Sequence, residues 1–264
     1  ILTLFESGQI VISNEAVHPP NPTPEAAMTI APADLRSSFS LPPAKALEIC
    51  HQLESAILQH RLQPGMKLAE DEVGDTFGVS RTVARTALQA LAHGGLVTIE
   101  RNRGAFVSRP TIREAHEVFE ARALIEPRIA RMAARNMTAD GLAVLQHYID
   151  AEHEITERGD MGLALQQSGA FHMAIAEIAD QTMLTQILHT LISRSSLIIA
   201  LYWRRRDTSC ESHSHHALLK AFADKNESAA EEIMKSHMVD LHSGLDLVER
   251  SEGEPTLAEV FRKG

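Results

Sequence analysis

From residue 111 to about residue 250 the chain shows no strand-like alternation of apolar and polar residues, only apolar positions recurring at helical spacing. Helices fit at about 112–136, 138–157, 161–179, 183–205, 212–224 and 227–250, with breaks at Gly159, Asp180-Gln181, Asp207-Thr208 and Lys225-Asn226. Pro127 has no amide proton and is expected to kink or interrupt the first of them. An all-α bundle of about six helices is the architecture this periodicity predicts.

The segment before it is organised differently. Between Ala44 and Gln59 the residues Ala46, Ile49, Leu53, Ala56 and Ile57 form a helical stripe that Pro64-Gly65 ends. Met66-Lys67-Leu68 reads as a short extended piece, and Glu70 to Phe77 as a short helix punctuated by Gly78. Ser80 is a good N-cap for a third helix, whose stripe is Ala84, Ala87, Leu88 and Leu91 and which closes at Gly94-Gly95. Leu96-Val97-Thr98-Ile99 and Ala105-Phe106-Val107 then flank Arg101-Asn102-Arg103-Gly104, a hairpin with a basic tip. Helix, helix, turn, helix, hairpin is the order of a winged helix-turn-helix. The predicted fold class is thus mainly α: an N-terminal winged helix-turn-helix with a small β-hairpin wing, followed by the bundle. The expected organisation is a flexible, proline-rich leader over 1–40, the winged helix-turn-helix domain over 41–109, the bundle over 110–252 and a tail over 253–264. The chain does not begin with Met, and a native start near Met28 would leave an arm of ordinary length.

A net charge of −10 looks unsuited to a nucleic-acid partner until it is divided along the chain. The leader carries −3, residues 41–110 carry +1, and the remainder carries −8. Within the middle segment Glu70, Asp71, Glu72 and Asp75 crowd the second helix, while Arg81, Arg85, Arg101, Arg103 and Arg109 fall on later elements. A locally positive face is compatible with an acidic whole. The two cysteines, Cys50 and Cys210, lack the spacing of a disulfide framework or thiolate zinc site and read as reduced thiols. No run of about 18 apolar residues suggests a membrane span, and the opening ILTLFESGQIVI lacks the basic front and cleavage site of a signal peptide. A cytoplasmic location with no membrane partner is expected.

A helix presented to DNA needs short polar and basic residues opposite its core stripe. Arg81, Thr82, Arg85, Thr86 and Gln89 occupy that face, and Arg81 and Arg85 stand one turn apart. Guanine edges or phosphates would both explain two guanidiniums there, as would a solvated helix face. The runs PGMKL, FGVSRTVARTALQALAHGGLV and RNRGAFV together resemble the reading domain of the GntR family of regulators over about 65 residues. The resemblance implies DNA contacts by Ser80, Arg81, Thr82, Val83 and Arg85. It also implies a wing of Arg101, Asn102, Arg103 and Gly104 entering the minor groove, and a homodimer on a short palindromic operator of double-stranded DNA. Three positions depart from the family pattern: Val83 replaces a proline, Thr86 a glutamate and Asp71 an arginine of the second helix. A carboxylate at Asp71 would repel phosphate, so that contact is expected to be missing.

Three of the fourteen histidines are placed to meet. His215 lies about ten residues before the Lys225-Asn226 turn and His237 about eleven after it, so an antiparallel hairpin brings both to one level about 15 Å from the turn. His172, beside Phe171, lies on another apolar helix. Three converging neutral imidazoles would suit a divalent metal of the zinc or nickel type; the alternative is three unrelated histidines. His216 is placed outside the site by the phase of Leu218, Leu219 and Phe222. His147, His153, His189, His213 and His242 read as ordinary histidines, and the Trp203-Arg204-Arg205-Arg206 run as cations at a helix end.

The stretch Glu120-Ala-Arg-Ala-Leu-Ile-Glu126, Ala133-Ala134, Phe171-His172 and the spacing of His215 from His237 are similar to the FCD ligand domain of the FadR subfamily. That resemblance implies a metal held by His172, His215 and His237 with an aspartate four residues before the first. Here that place is Ser168, a neutral and poorer ligand, so a water or an anionic effector would complete the coordination. Arg122, at a recurrent family position, would pair with a small carboxylate effector, unless it forms a buried structural pair with a neighbouring glutamate. The implied function is a ligand-responsive transcriptional regulator, a repressor by the commoner family mode. A metal-free sensor of an acyl-CoA or sugar acid is the alternative. A zinc hydrolase is a remote one, because no carboxylate sits at a spacing that nominates a general base and the winged helix would be unexplained; no enzymatic activity is expected.

Overall fold

The computed structural model describes residues 44–203 and 209–248, the side chains of 209–212 excepted. The leader, the start near Met28, the domain's first residues 41–43, Arg204 to Arg206, the Cys210 side chain and the tail lie outside the described residues.

The N-terminal helix α1, Ala44–Leu58, buries Ala46, Ile49, Leu53 and Ile57, the stripe its sequence predicts. Lys67–Leu68 forms β1, Glu70–Phe77 forms α2 and Arg81–His93 forms α3. Gly78 ends α2 at φ 62°, a left-handed backbone that glycine adopts without a Cβ clash. Ser80 Oγ then accepts from the Val83 amide at 3.4 Å and caps α3. Val97–Glu100 and Gly104–Val107 are β2 and β3, joined across Asn102 and Gly104, both at positive φ. The sheet has three antiparallel strands in the order β1-β3-β2, with Leu68 opposite Ala105 and Val97 opposite Val107. The expected extended piece before α2 is thus an edge strand of the wing sheet. Two residues carry no detectable period, so only the long-range pairing reveals it.

The rest is helical: α4 over Ile112–Asn136, α5 over Ala139–Glu157, α6 over Met161–Ile178, α7 over Thr182–Tyr202, α8 over Ser209–Ala223 and α9 over Glu227–Ser243. Thr111 and Glu114 form a reciprocal capping box at the start of α4. Pro127 does not interrupt α4, which runs as one helix with Pro127 buried inside it. α9 stops at Ser243 rather than continuing to 250. Its chain is diverted where Leu245 bridges to Trp203 and the Asp246 amide donates to the Tyr202 carbonyl at 2.8 Å. The bundle core is built from Phe119, Ile129, Leu145, Phe171, Ile175, Leu188 and Phe222.

A second apolar cluster fills the head, and one of its members, Leu197, comes from α7. Head and bundle are therefore packed together. His60 Nε2 lies 3.1 Å from the Ser196 carbonyl, Ser196 Oγ donates to the Leu58 carbonyl at 3.3 Å, and Gln59 Nε2 donates to Gln166 Oε1 at 2.8 Å. α7 is long and apolar enough to cross a membrane by composition, yet here it packs against α4 and α6 and carries buried Ser193, Ser195 and Ser196. Cys50 on α1 is half-buried, and burial pushes its thiol up to about 12, leaving it a poor nucleophile at neutral pH.

Candidate nucleic-acid interface and candidate metal centre

The N-terminal half of α3 projects from the head because its other side is fixed by Ala84, Ala87, Leu88 and Leu91. Arg81 and Arg85 are 62% and 55% exposed, and Thr82 is exposed beside them. Val83 is half-buried against the head core, and Ser80 serves as the cap. Arg101, Asn102, Arg103 and Gly104 are all exposed at the wing tip, where Arg103 pairs with Glu100 and lies 5.4 Å from the Phe106 ring centroid. Beside this exposed face of α3 lies a carboxylate that the sequence places only among the acids of α2. Glu70 accepts from Arg81 Nε at 2.8 Å, from Arg85 Nε at 2.7 Å and from Arg85 Nη2 at 2.8 Å. Hydrogen bonds from Arg85 and then Arg81 hold its carboxyl down at about 2. Asp71 lies 3.5 Å from Arg81 Nη1, turned toward α3.

In the bundle, His172 on α6, His215 on α8 and His237 on α9 are all buried, with ring centroids between 5.0 and 5.4 Å apart. Each offers one ring nitrogen, and the three nitrogens lie within 4.8 Å of one another. His216 is exposed, as the helical phase requires. Two carboxylates fix the rings. His172 Nδ1 lies 2.5 Å from Glu126 Oε2, and His215 Nδ1 lies 2.9 Å from Glu152 Oε2. Burial would raise the Glu126 carboxyl, but the Arg122 charge and the hydrogen bonds from His172 and Arg122 outweigh it and hold it well below the usual carboxylate range. Glu126 is therefore an acceptor, which places the His172 proton on Nδ1 and a lone pair on Nε2. Burial lowers His172, with Arg122 and His215 adding to the effect against Glu126; burial, His215, His172 and Arg122 lower His237 further.

The consequence is three ring nitrogens gathered in one buried place. His172 Nε2 and His237 Nε2 share a hydrogen bond across 3.3 Å, and His215 Nε2 is buried without any hydrogen-bond partner. An orphaned imidazole nitrogen beside two others fits a divalent cation with nitrogen ligands, and the carboxylates on the far nitrogens are the outer-shell partners such ligands use. Ser168 is buried one turn before His172 on α6. Arg122 is buried, donating through Nε to Glu126 at 2.6 Å and through Nη1 to Ser195 at 3.0 Å, so the alternative reading as a buried pair describes its contacts here. Glu126 was legible as the i+4 neighbour of Arg122. Glu152, 63 residues from His215, was not.

Residues 45–107 match the model for bacterial regulatory proteins of the gntR family, and residues 117–240 match the FCD domain model. The chain is a GntR-family transcriptional regulator with an FCD domain. The regulator is 27% identical over 173 residues to the Nta operon transcriptional regulator of Aminobacter aminovorans, covering 66% of this chain and 82% of that one. It is 26% identical over 212 residues to the HTH-type transcriptional regulator LutR of Bacillus subtilis, covering 70% and 93% respectively. A GntR transcriptional regulator structure from Rhodococcus sp. RHA1 shares the fold at a TM-score of 0.67 and 23% identity, over 76% of this chain and 97% of that one. These relatives regulate transcription; they are not enzymes.

Proposed function

We propose that the regulator binds a palindromic operator as a homodimer in the cytoplasm and represses until a small carboxylate metabolite binds in the bundle, at a divalent metal of the zinc or nickel type held by His172, His215 and His237. The observation that carries the sensing half is the buried, unpartnered Nε2 of His215 facing His172 and His237. A bound metal would supply a Lewis-acidic centre with open positions. With Ser168 in place of a carboxylate, the ligand set of this chain is neutral, which favours an anion as the remaining ligand. Arg122 is the cation to neutralise that anion, although two of its donors already serve Glu126 and Ser195. The DNA contacts proposed are Ser80, Arg81, Thr82, Val83 and Arg85 on α3, and Arg101, Asn102, Arg103 and Gly104 on the wing.

Coupling between the two sites is supported by α7. Ser195 accepts from Arg122, Ser196 holds the end of α1, and Leu197 sits in the head core, so three consecutive residues touch the sensor and the head. An effector that binds two arrangements of this helix unequally would shift operator affinity by the difference. A hydrolase reading gains nothing from the geometry, since Glu126 and Glu152 are both engaged by histidine nitrogens.

The test is elemental analysis of protein purified without a metal-affinity tag, paired with gel shifts on the DNA upstream of its own gene. About one metal per chain and specific binding lost in Arg85→Ala are expected. Less than about a tenth of an equivalent, with the ligand response intact, would favour a metal-free sensor of an acyl-CoA or sugar acid.

A further inference from the structure

The regulator carries an acidic residue where its reading face most needs positive charge. We propose that Glu70 is a positioning residue that sets operator specificity, by holding Arg81 and Arg85 in fixed orientations while withholding their charge from DNA of other sequence. The proposal rests on the reading that α3 faces DNA.

Arg85 meets Glu70 through one edge of its guanidinium, with Nε 2.7 Å from Oε1 and Nη2 2.8 Å from Oε2. Because the guanidinium is planar, that contact fixes the plane of the group and turns its other edge, carrying Nη1, away from the carboxylate. This second edge has the two parallel donors that suit O6 and N7 of guanine. Arg81 Nε shares the Oε2 oxygen at 2.8 Å, so one carboxylate ties both side chains together. Glu70 can do this because it opens α2, whose packing against α3 presents it to the first turn of the reading helix, and because it is only 23% exposed.

The charge consequence is as specific as the geometric one. Glu70 and Asp71 face two guanidiniums, so this patch is close to neutral although it is rich in donors. Affinity for arbitrary DNA depends on how many phosphates a protein neutralises, whereas discrimination depends on donors held where only the right base edges meet them. A carboxylate behind the arginines lowers the first and sharpens the second. It also gives the Asp71 departure a role, since Asp71 joins Glu70 in drawing charge from Arg81.

The experiment uses the full chain, a duplex selected from random DNA by the unaltered protein, and an unrelated duplex of equal length, with affinities measured at several salt concentrations. For Glu70→Gln and Glu70→Ala, the affinity for unrelated DNA should rise, the salt dependence should steepen by about one ion, and the ratio of specific to non-specific affinity should fall about tenfold. A role confined to stabilising α2 would lower the melting temperature and leave that ratio within about twofold, which overturns the proposal. Arg85→Ala separates the two layers. If it retains full operator binding, the reading of α3 itself fails; if it loses binding while the Glu70 variants keep the ratio, only the role of Glu70 fails.

Discussion

Arg122 Nη1 donates to Ser195 Oγ across 3.0 Å, and the next residue of the same helix, Ser196, donates to the carbonyl of Leu58 at the end of α1. Arg122 also holds Glu126, which orients His172, so a continuous run of hydrogen bonds links the histidine cluster to α7. If the occupied histidine site signals through this run, zinc should change the operator affinity of the unaltered protein, and Ser195→Ala should leave zinc uptake and the fold intact but reduce that change. Anisotropy titrations with and without zinc measure both. A full zinc response in the variant would show that coupling runs elsewhere.

Ser168→Asp should raise zinc affinity by roughly tenfold or more, because an anionic ligand is added one turn before His172. The metal-free variant should be less stable than the parent, since the new carboxylate is buried at a site where Ser168 is 7% exposed. Competition against a chromogenic chelator and thermal melts read the two effects. Equal zinc affinity would remove residue 168 from the coordination sphere.

Gly162 stands against the head at the start of α6, where a Cβ would lie 2.1 Å from the backbone oxygen of Gln59. Neither partner can yield without moving a helix end, so Gly162→Ala should cost about 1–3 kcal/mol and lower Tm by several degrees. A melting temperature equal to the parent's would mean that the two helix ends separate freely. In that event hydrogen exchange at residues 55–62 should already be fast in the unaltered protein.

The carboxyl of Glu70 is lowered from 4.5 to about 2 in the folded state, by hydrogen bonds from Arg85 and then Arg81. A carboxyl lowered on folding stabilises the fold above its unfolded value, and that contribution is lost as pH falls toward the folded value. Stability of the parent should therefore decline more steeply between pH 4.5 and 2 than that of Glu70→Gln, with parallel curves above about pH 5.5. The group is partly solvated, so the difference should be modest. Denaturant midpoints across this range supply the check, and identical slopes would mean the arginine contacts do not persist in solution.

The order of elements was readable from residue types alone, because periodicity, caps and glycine punctuation are local signals. Ala84, Ala87, Leu88 and Leu91 share one face of α3 whatever surrounds it, so the exposure of Arg81 and Arg85 follows from spacing. The same arithmetic brought His215 level with His237, since a helical hairpin fixes the height of residues equally far from its turn. What spacing could not supply was every partner distant in sequence: β1 against β3, Glu152 on His215, the diversion of α9 by Trp203, and Leu197 in the core of the head. Those depend on how finished helices pack, and packing is decided by contacts between faces that no local window contains. Glu70 lies between the two cases. The sequence determined that it is acidic and close to α3; only the packing of α2 on α3 decided that its carboxylate holds both arginines.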